Sequence, residues 1–90
     1  MDFGQAIEAL KLGKKVCRSG WNGKGMFVYL QEGSMVNGTL MRNEAIKAYY
    51  GDKTVKINPY IDMKAADDTL VIGWLASQTD MLAEDWQIVE

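Results

Sequence analysis

The sequence has 90 residues, a length that suits one domain, and 48% of them are hydrophobic, as in a globular protein. Its 10 basic residues stand against 12 acidic ones, so the clustered positive charge of a nucleic-acid binder is missing, and we expect no nucleic-acid polymer as partner. No apolar run approaches the roughly 20 residues that cross a bilayer, so we expect no membrane partner. The N-terminus lacks the positive region of a signal peptide, and one cysteine cannot form an internal disulfide, so we expect a cytoplasmic protein.

The first half of the chain predicts two helices and three strands. In chain order these are a helix over 2–12, a strand over 14–18, a glycine-rich loop over 19–25, a strand over 26–31, a tight hairpin at Asn37-Gly38, a helix over 43–51 and a short strand over 54–57. Asp2 and Gln5 have the spacing of a capping box, and Gly13 follows as a stop signal. Asn43 and Gly51 mark the two ends of the second helix.

The second half predicts a strand pair, a helix and a closing strand. Residues 60–66 and 69–73 are the strand pair, 74–86 contain the helix, and 86–90 are the closing strand. Asp62 and Lys64 alternate with apolar neighbours, as on a sheet with one solvent-facing side. The order of elements indicates an α+β fold, a small single domain with a mainly antiparallel sheet and two or three short helices.

Catalytic chemistry has little support in the composition. Histidine, the commonest general base, is absent. Cys17 lies in a predicted strand without an obvious base, which favours a buried, inert thiol. The carboxylates are scattered along the sequence, so no metal site and no cofactor is expected. We therefore expect a protein that is not an enzyme, although paired carboxylates could still support hydrolysis.

A first candidate ligand site lies in the glycine-rich loop. Trp21 follows a glycine there and offers a flat ring on which a purine could stack. Lys24 and Arg18 could neutralise phosphate, and glycines let the backbone approach an anion. The spacing of a phosphate-binding loop is absent, so the pattern by itself has low specificity. The alternative is that Trp21 packs in the core and the glycines only turn the chain.

A second candidate site repeats the arrangement, with Trp74 after a glycine and before a helix start. The polar groups that follow are Ser77, Gln78, Thr79 and Asp80. The free N–H groups of a first helical turn bind anions readily, and Asp80 could accept from ribose hydroxyls. The alternative is a plain capping box around Ser77, and both can hold. Trp86 has no such setting, so we expect it in the core.

Two long stretches also resemble a known family. "FGQAIEALKLGKKVCRSGWNGKGMF" (3–27) and "PYIDMKAADDTLVIGWLASQTDMLAEDWQIV" (59–89) are similar to the second type of Thoeris anti-defence protein, a group of small phage and prophage proteins. The resemblance covers nearly the whole chain except its middle, roughly 32–58. Thoeris defence makes a cyclic ADP-ribose isomer as an alarm signal. The resemblance implies that the chain captures this signal intact in the infected host, as a homotetramer with ligand pockets where subunits meet.

The resemblance also implies roles for residues of the two motifs. Trp21 and Trp74 would stack on the ligand, and Asn22, Ser77, Thr79 and Asp80 would be its nearest polar partners. The full set of candidate ligand-binding residues is Trp21, Asn22, Gly23, Lys24, Met26, Phe27, Trp74, Ala76, Ser77, Thr79 and Asp80. Three alternatives stay open: capture mainly of cyclic oligonucleotide signals from another defence system, hydrolysis of the signal, and direct inhibition of a defence protein.

Overall fold

The computed structural model describes all residues, Met1–Glu90, and contains three α-helices and seven strands. These are α1 (Phe3–Lys11), β1 (Lys15–Arg18), β2 (Phe27–Gln31), β3 (Ser34–Asn37), α2 (Glu44–Tyr50), β4 (Thr54–Ile57), β5 (Tyr60–Lys64), β6 (Leu70–Val71), α3 (Gln78–Leu82) and β7 (Trp86–Val89). Five strands form one antiparallel sheet in the order β6-β5-β2-β1-β7, and β3 pairs only with β4. The expected α+β class with a mainly antiparallel sheet is confirmed. No helix has both the length and the apolar character needed to cross a bilayer.

The helix α1 covers one face of the five-stranded sheet. Its predicted capping box is present, because Asp2 Oδ1 accepts from the Gln5 N–H at 2.7 Å and Gln5 Oε1 accepts from the Asp2 N–H at 2.9 Å. Gly13 follows the helix with φ +84°, the left-handed region that ends helices. The core between helix and sheet consists of Ala6, Ala9, Leu10, Val16, Val28, Met63 and Trp86.

The opposite face of the sheet is partly buried although α1 does not cover it. Asp62 points to this face, opposite Tyr29 of β2. The prediction that it faces solvent is wrong, because Asp62 is fully buried and its Oδ1 accepts from the Gly73 N–H at 2.9 Å. Gly73, which follows the edge strand β6, supplies this hydrogen bond. Cys17, expected to be buried, is half-buried on the same face.

The middle of the chain, residues 34–57, forms an arm that contains β3, α2 and β4. The predicted Asn37-Gly38 hairpin is wrong. Asn37 Oδ1 instead accepts from the Thr39 N–H at 2.9 Å and caps a 3₁₀ turn, Gly38–Leu40, and β3 pairs with β4 across the intervening helix. An asparagine side chain that captures the backbone two residues on competes with the hairpin turn for the same dipeptide. The predicted helix between Asn43 and Gly51 is confirmed.

The arm makes the molecule elongated, with extents of 45 × 26 × 25 Å and a radius of gyration of 15.7 Å. A compact chain of this length has a radius of gyration of about 12 Å. The accessible surface is 6440 Å², whereas a globular monomer of similar mass exposes about 5300 Å². The single chain therefore leaves more surface exposed than an ordinary monomer does.

Candidate functional site

Three tryptophans meet at one end of the core and form the indole cluster, Trp21, Trp74 and Trp86. The ring centroids lie 5.3 Å apart for Trp21 and Trp86, and 6.2 Å apart for the other two pairs. All three pairs are edge-to-face, at 71° to 80°, an arrangement that aromatic rings favour. Trp86 is 2% exposed, as predicted, and supports the other two, which are half-buried. Trp21 and Trp74 therefore form a corner at the surface rather than two parallel plates.

The loop that carries Trp21 is fixed by Asp85, just before β7. The Gly20 N–H donates to Asp85 Oδ2 at 2.7 Å, and the Ser19 N–H donates to the Asp85 carbonyl at 3.2 Å. A Cβ on Gly20 would lie 2.7 Å from Asp85 Oδ2, so a larger residue there would push the carboxylate away from its present position. The contact with Asp85 thus explains the glycine at position 20 without a ligand.

The turn that carries Trp74 is fixed in a comparable way. Gly73 has φ +78°, and its N–H donates to Asp62 Oδ1. The Trp74 N–H donates to the Ile61 carbonyl at 2.7 Å. Both tryptophans therefore follow a glycine whose N–H is held by a carboxylate distant in sequence.

Asp80 connects the two candidate motifs from the start of α3. Its Oδ1 accepts from Trp21 Nε1 at 3.1 Å and from Arg18 Nη1 at 2.8 Å. Its Oδ2 accepts from the Ser77 N–H at 3.2 Å, which with the reverse bond to Ser77 Oγ completes the predicted capping box. Burial raises the pKa of Asp80, but the hydrogen bonds from Trp21, Arg18 and Ser77 outweigh it, and the net shift is downward. Both oxygens are already used within the chain, so Asp80 holds Trp21 in place.

Arg18 is not the free cation that the sequence suggested for phosphate. Its guanidinium pairs with Asp80 and, through Nε, with Asp85 Oδ1 at 2.8 Å, and its side chain is 15% exposed. Hydrogen bonds to Asp85 and Asp80 raise its pKa further. Its charge is compensated by two carboxylates.

The remaining candidate residues have different environments. Asn22, Lys24 and Thr79 are exposed, and their side chains form no hydrogen bond or ion pair within the chain, so they are free to meet a ligand. Gly23 has a packing role, because a Cβ there would lie 2.5 Å from Met26 Sδ and 2.8 Å from the Ala66 Cβ. Ala76 is half-buried beside Ser77. Phe27 neighbours the core residue Val28 along β2, so it points to the opposite face of the sheet from the indole cluster.

Comparison with known proteins agrees with these motifs. The model of the Thoeris anti-defense 2-like domain matches residues 1–89. The protein "Thoeris anti-defense 2" of Bacillus phage SP01 is 40% identical over 98 residues, covering 99% of this chain and 94% of that protein. The chain belongs to the Thoeris anti-defense 2-like family. The predicted family resemblance is thereby confirmed, and it supports a role in phage anti-defence.

This Thoeris anti-defense 2-like chain has two open hollows, and neither contains an indole ring. One, of about 460 Å³, is lined by residues of α1 and by Ile88 of β7. The other, of about 400 Å³, lies on the arm between Gly33 and Pro59. A single chain therefore offers a corner at Trp21 and Trp74, but no enclosed cavity there.

Two residues that shape the site carry no sequence signal that points to it. Asp62 stands in an alternating strand pattern that suggests a solvated side chain, and Asp85 looks like one more acidic residue near the C-terminus. Their contacts with Gly73 and Gly20 span 11 and 65 residues. Only the fold brings these partners together.

Proposed function

We propose that this protein binds the cyclic ADP-ribose isomer signal of Thoeris immunity, of the glycocyclic ADP-ribose type, and sequesters it without cleaving it. It acts as a homo-oligomer, a tetramer, in the cytoplasm of the infected bacterial host. The observation that carries the proposal is the surface corner of Trp21 and Trp74, with the free polar groups of Asn22, Lys24 and Thr79 in the same two motifs. Family membership supports the link to Thoeris defence.

The corner determines how a base can bind. Rings at 71° to each other cannot both lie flat on one planar base. An adenine therefore stacks on the face of one indole and meets the other indole at its edge, a geometry that aromatic pairs favour. Asn22 and Thr79 then offer donors and acceptors to the riboses, and the Lys24 ammonium is the free cation for a phosphate.

Assembly would supply the walls that one chain lacks. Four exposed apolar residues, Leu70, Val71, Ile72 and Leu75, flank Trp74 in sequence and are here called the apolar strip, and Leu75 is 89% exposed. Soluble monomers rarely leave such patches uncovered. Together with the surplus surface of the elongated chain, the strip supports self-association, with the nucleotide held where copies meet.

Hydrolysis of the signal through Asp80 is disfavoured by the same geometry. Both carboxylate oxygens accept hydrogen bonds from within the chain, and the lowered pKa makes the group a weak base. Tight capture requires no proton transfer, so the absence of histidine does not limit it.

Calorimetric titration with cyclic ADP-ribose isomers and with cyclic dinucleotides tests the proposal. The expected result is tight binding of a cyclic ADP-ribose isomer, with the same compound recovered by chromatography after heat denaturation. Turnover of the recovered compound would instead favour a hydrolase, preference for a cyclic dinucleotide would favour the other signal class, and binding of neither would contradict the proposal.

Substitution of the two indoles tests where the ligand sits. Trp21→Ala and Trp74→Ala should each weaken nucleotide binding by about 1–3 kcal/mol, the usual contribution of a stacked base, while the fold is retained. Tyr49→Ala removes an exposed ring on the arm and serves as the matched control, with unchanged affinity. Loss of folding in both tryptophan variants, measured by circular dichroism, would place these rings in the core instead.

A further inference from the structure

The two half-buried tryptophans, Trp21 and Trp74, share a local arrangement that involves the glycine before each of them. In each case the preceding glycine donates its N–H to a carboxylate, Gly20 to Asp85 and Gly73 to Asp62. We propose that Asp62 and Asp85 are positioning residues, which set the two ring planes without touching the ligand. This inference rests on the proposed function, in which these rings bind the nucleotide.

Asp85 uses both carboxylate oxygens. Oδ1 accepts from Arg18 Nε at 2.8 Å, and Oδ2 accepts from the Gly20 N–H at 2.7 Å and from Ser19 Oγ at 3.5 Å. The Arg18 guanidinium also holds Asp80, which accepts from the Trp21 indole N–H. Asp85 therefore fixes Trp21 twice, at its backbone through Gly20 and at its ring through Arg18 and Asp80.

Asp62 uses only one carboxylate oxygen, and it lies in the protein interior, where a carboxylate lowers the stability of the fold. Its side chain is fully buried, and Oδ1 accepts from the Gly73 N–H. Oδ2 makes no hydrogen bond of ordinary geometry, although Asp62 lies opposite Tyr29 of β2 and, after burial, helps to raise the pKa of that hydroxyl. Burying a carboxylate with an unsatisfied oxygen lowers stability, so stability alone does not explain this residue. The bond it does form fixes Gly73 at positive φ and thus the direction in which the chain presents Trp74.

This difference in oxygen use predicts a difference between the two asparagine variants. In Asp62→Asn the amide oxygen still accepts from Gly73, and the amide nitrogen replaces Oδ2. In Asp85→Asn one of the two accepting positions becomes an N–H donor that faces another donor, Arg18 Nε or the Gly20 N–H. Asparagine should therefore rescue Asp62 and should not rescue Asp85.

The test measures indole signals and nucleotide affinity in the same set of variants. Two-dimensional ¹H–¹⁵N spectra show one indole N–H signal for each of the three tryptophans, and titration with a cyclic ADP-ribose isomer gives the affinity. Asp62→Ala should shift the Trp74 signal, and both Asp85→Ala and Asp85→Asn should shift the Trp21 signal. Each of these three variants should weaken nucleotide binding about tenfold, as expected for loss of a charge-assisted hydrogen bond. Asp62→Asn should stay within about threefold of wild type. Asp52→Ala, which removes an exposed carboxylate without side-chain partners, is the control.

Unmoved indole signals and wild-type affinity in Asp62→Ala and Asp85→Asn would overturn the proposal, as would equal losses in the two asparagine variants. The asparagine variants keep the side-chain volume, so they decide the matter even if an alanine variant does not fold. A wild-type protein that binds no nucleotide would contradict the proposed function, and the indole spectra would then decide the positioning role separately.

Discussion

At the residue scale, the three tryptophans have different environments. Trp86 is the core residue that the sequence predicted, and its Nε1 donates to the Asp80 carbonyl at 2.9 Å. Trp21 and Trp74 fit both interpretations that the sequence left open, since they pack on the core cluster and still expose part of each ring. Composition and spacing predicted Trp21 and Trp74 as candidate ligand-binding residues. They could not indicate that the rings meet as a corner, because that angle depends on Asp62, Asp80 and Asp85.

Acid stability depends on the carboxylates that hold the Trp21 loop. The hydrogen bond from Arg18 lowers the pKa of Asp85, with help from the Gly20 N–H, so the unfolded chain takes up this proton before the folded chain does. The stabilisation is present above the ordinary aspartate pKa and is lost as pH falls through the lowered one. Urea unfolding should give a flat free energy of unfolding from about pH 7 to 5 and a decline below about pH 4.

The matched variant for this prediction is Asp85→Asn, which removes the titrating group. Its decline in acid should be shallower than that of the wild type. Equal slopes in the two proteins would show that this carboxylate does not contribute to acid unfolding.

At the element scale, local signals predicted the helices better than the strand pairing. Asp2, Asn43 and Ser77 all cap helices as expected, because capping is decided by residues within one turn. The predicted strand over 69–73 is only Leu70–Val71, and β3 was missed. Strand pairing depends on partners far away in sequence, and the arm pairs β3 with β4 around a whole helix.

The packing inside the arm, where Gly38 meets the end of α2, can be tested at Gly38. A Cβ there would lie 2.5 Å from the Gly51 carbonyl oxygen and 2.7 Å from the Tyr50 Cβ. Gly38→Ala should lower the free energy of unfolding by about 1–3 kcal/mol through overpacking. Hydrogen exchange should speed up in residues 34–57 and stay unchanged at the indole cluster.

Gly4→Ala is the control, since its Cβ meets only Asp2 Oδ1, at 3.4 Å, and lies in α1. It should be neutral or stabilise by up to about 1 kcal/mol. Faster exchange throughout the sheet in Gly38→Ala would show that the arm and the five-stranded sheet unfold as one unit.

At the scale of the whole molecule, the chain is more elongated and exposes more surface than a compact monomer of its mass. Its surface exceeds the expected value by about 1100 Å², an excess comparable to the area that a specific protein interface buries. This shape could not be predicted from composition, because the elongation results from an arm that does not pack on the main sheet. Leu75 in the apolar strip is the most exposed of the large hydrophobic residues, and it is next to Trp74 in the sequence.

Native mass spectrometry of the purified protein, with and without a cyclic ADP-ribose isomer, tests most directly whether the nucleotide is held at the indole corner between copies. We expect a tetramer that carries intact nucleotide, and we expect Leu75→Glu to dissociate and lose the nucleotide while each chain stays folded. A wild-type protein that is monomeric and binds one nucleotide per chain would be evidence against this assembly. So would a monomeric Leu75→Glu variant that binds the nucleotide as tightly as the wild type.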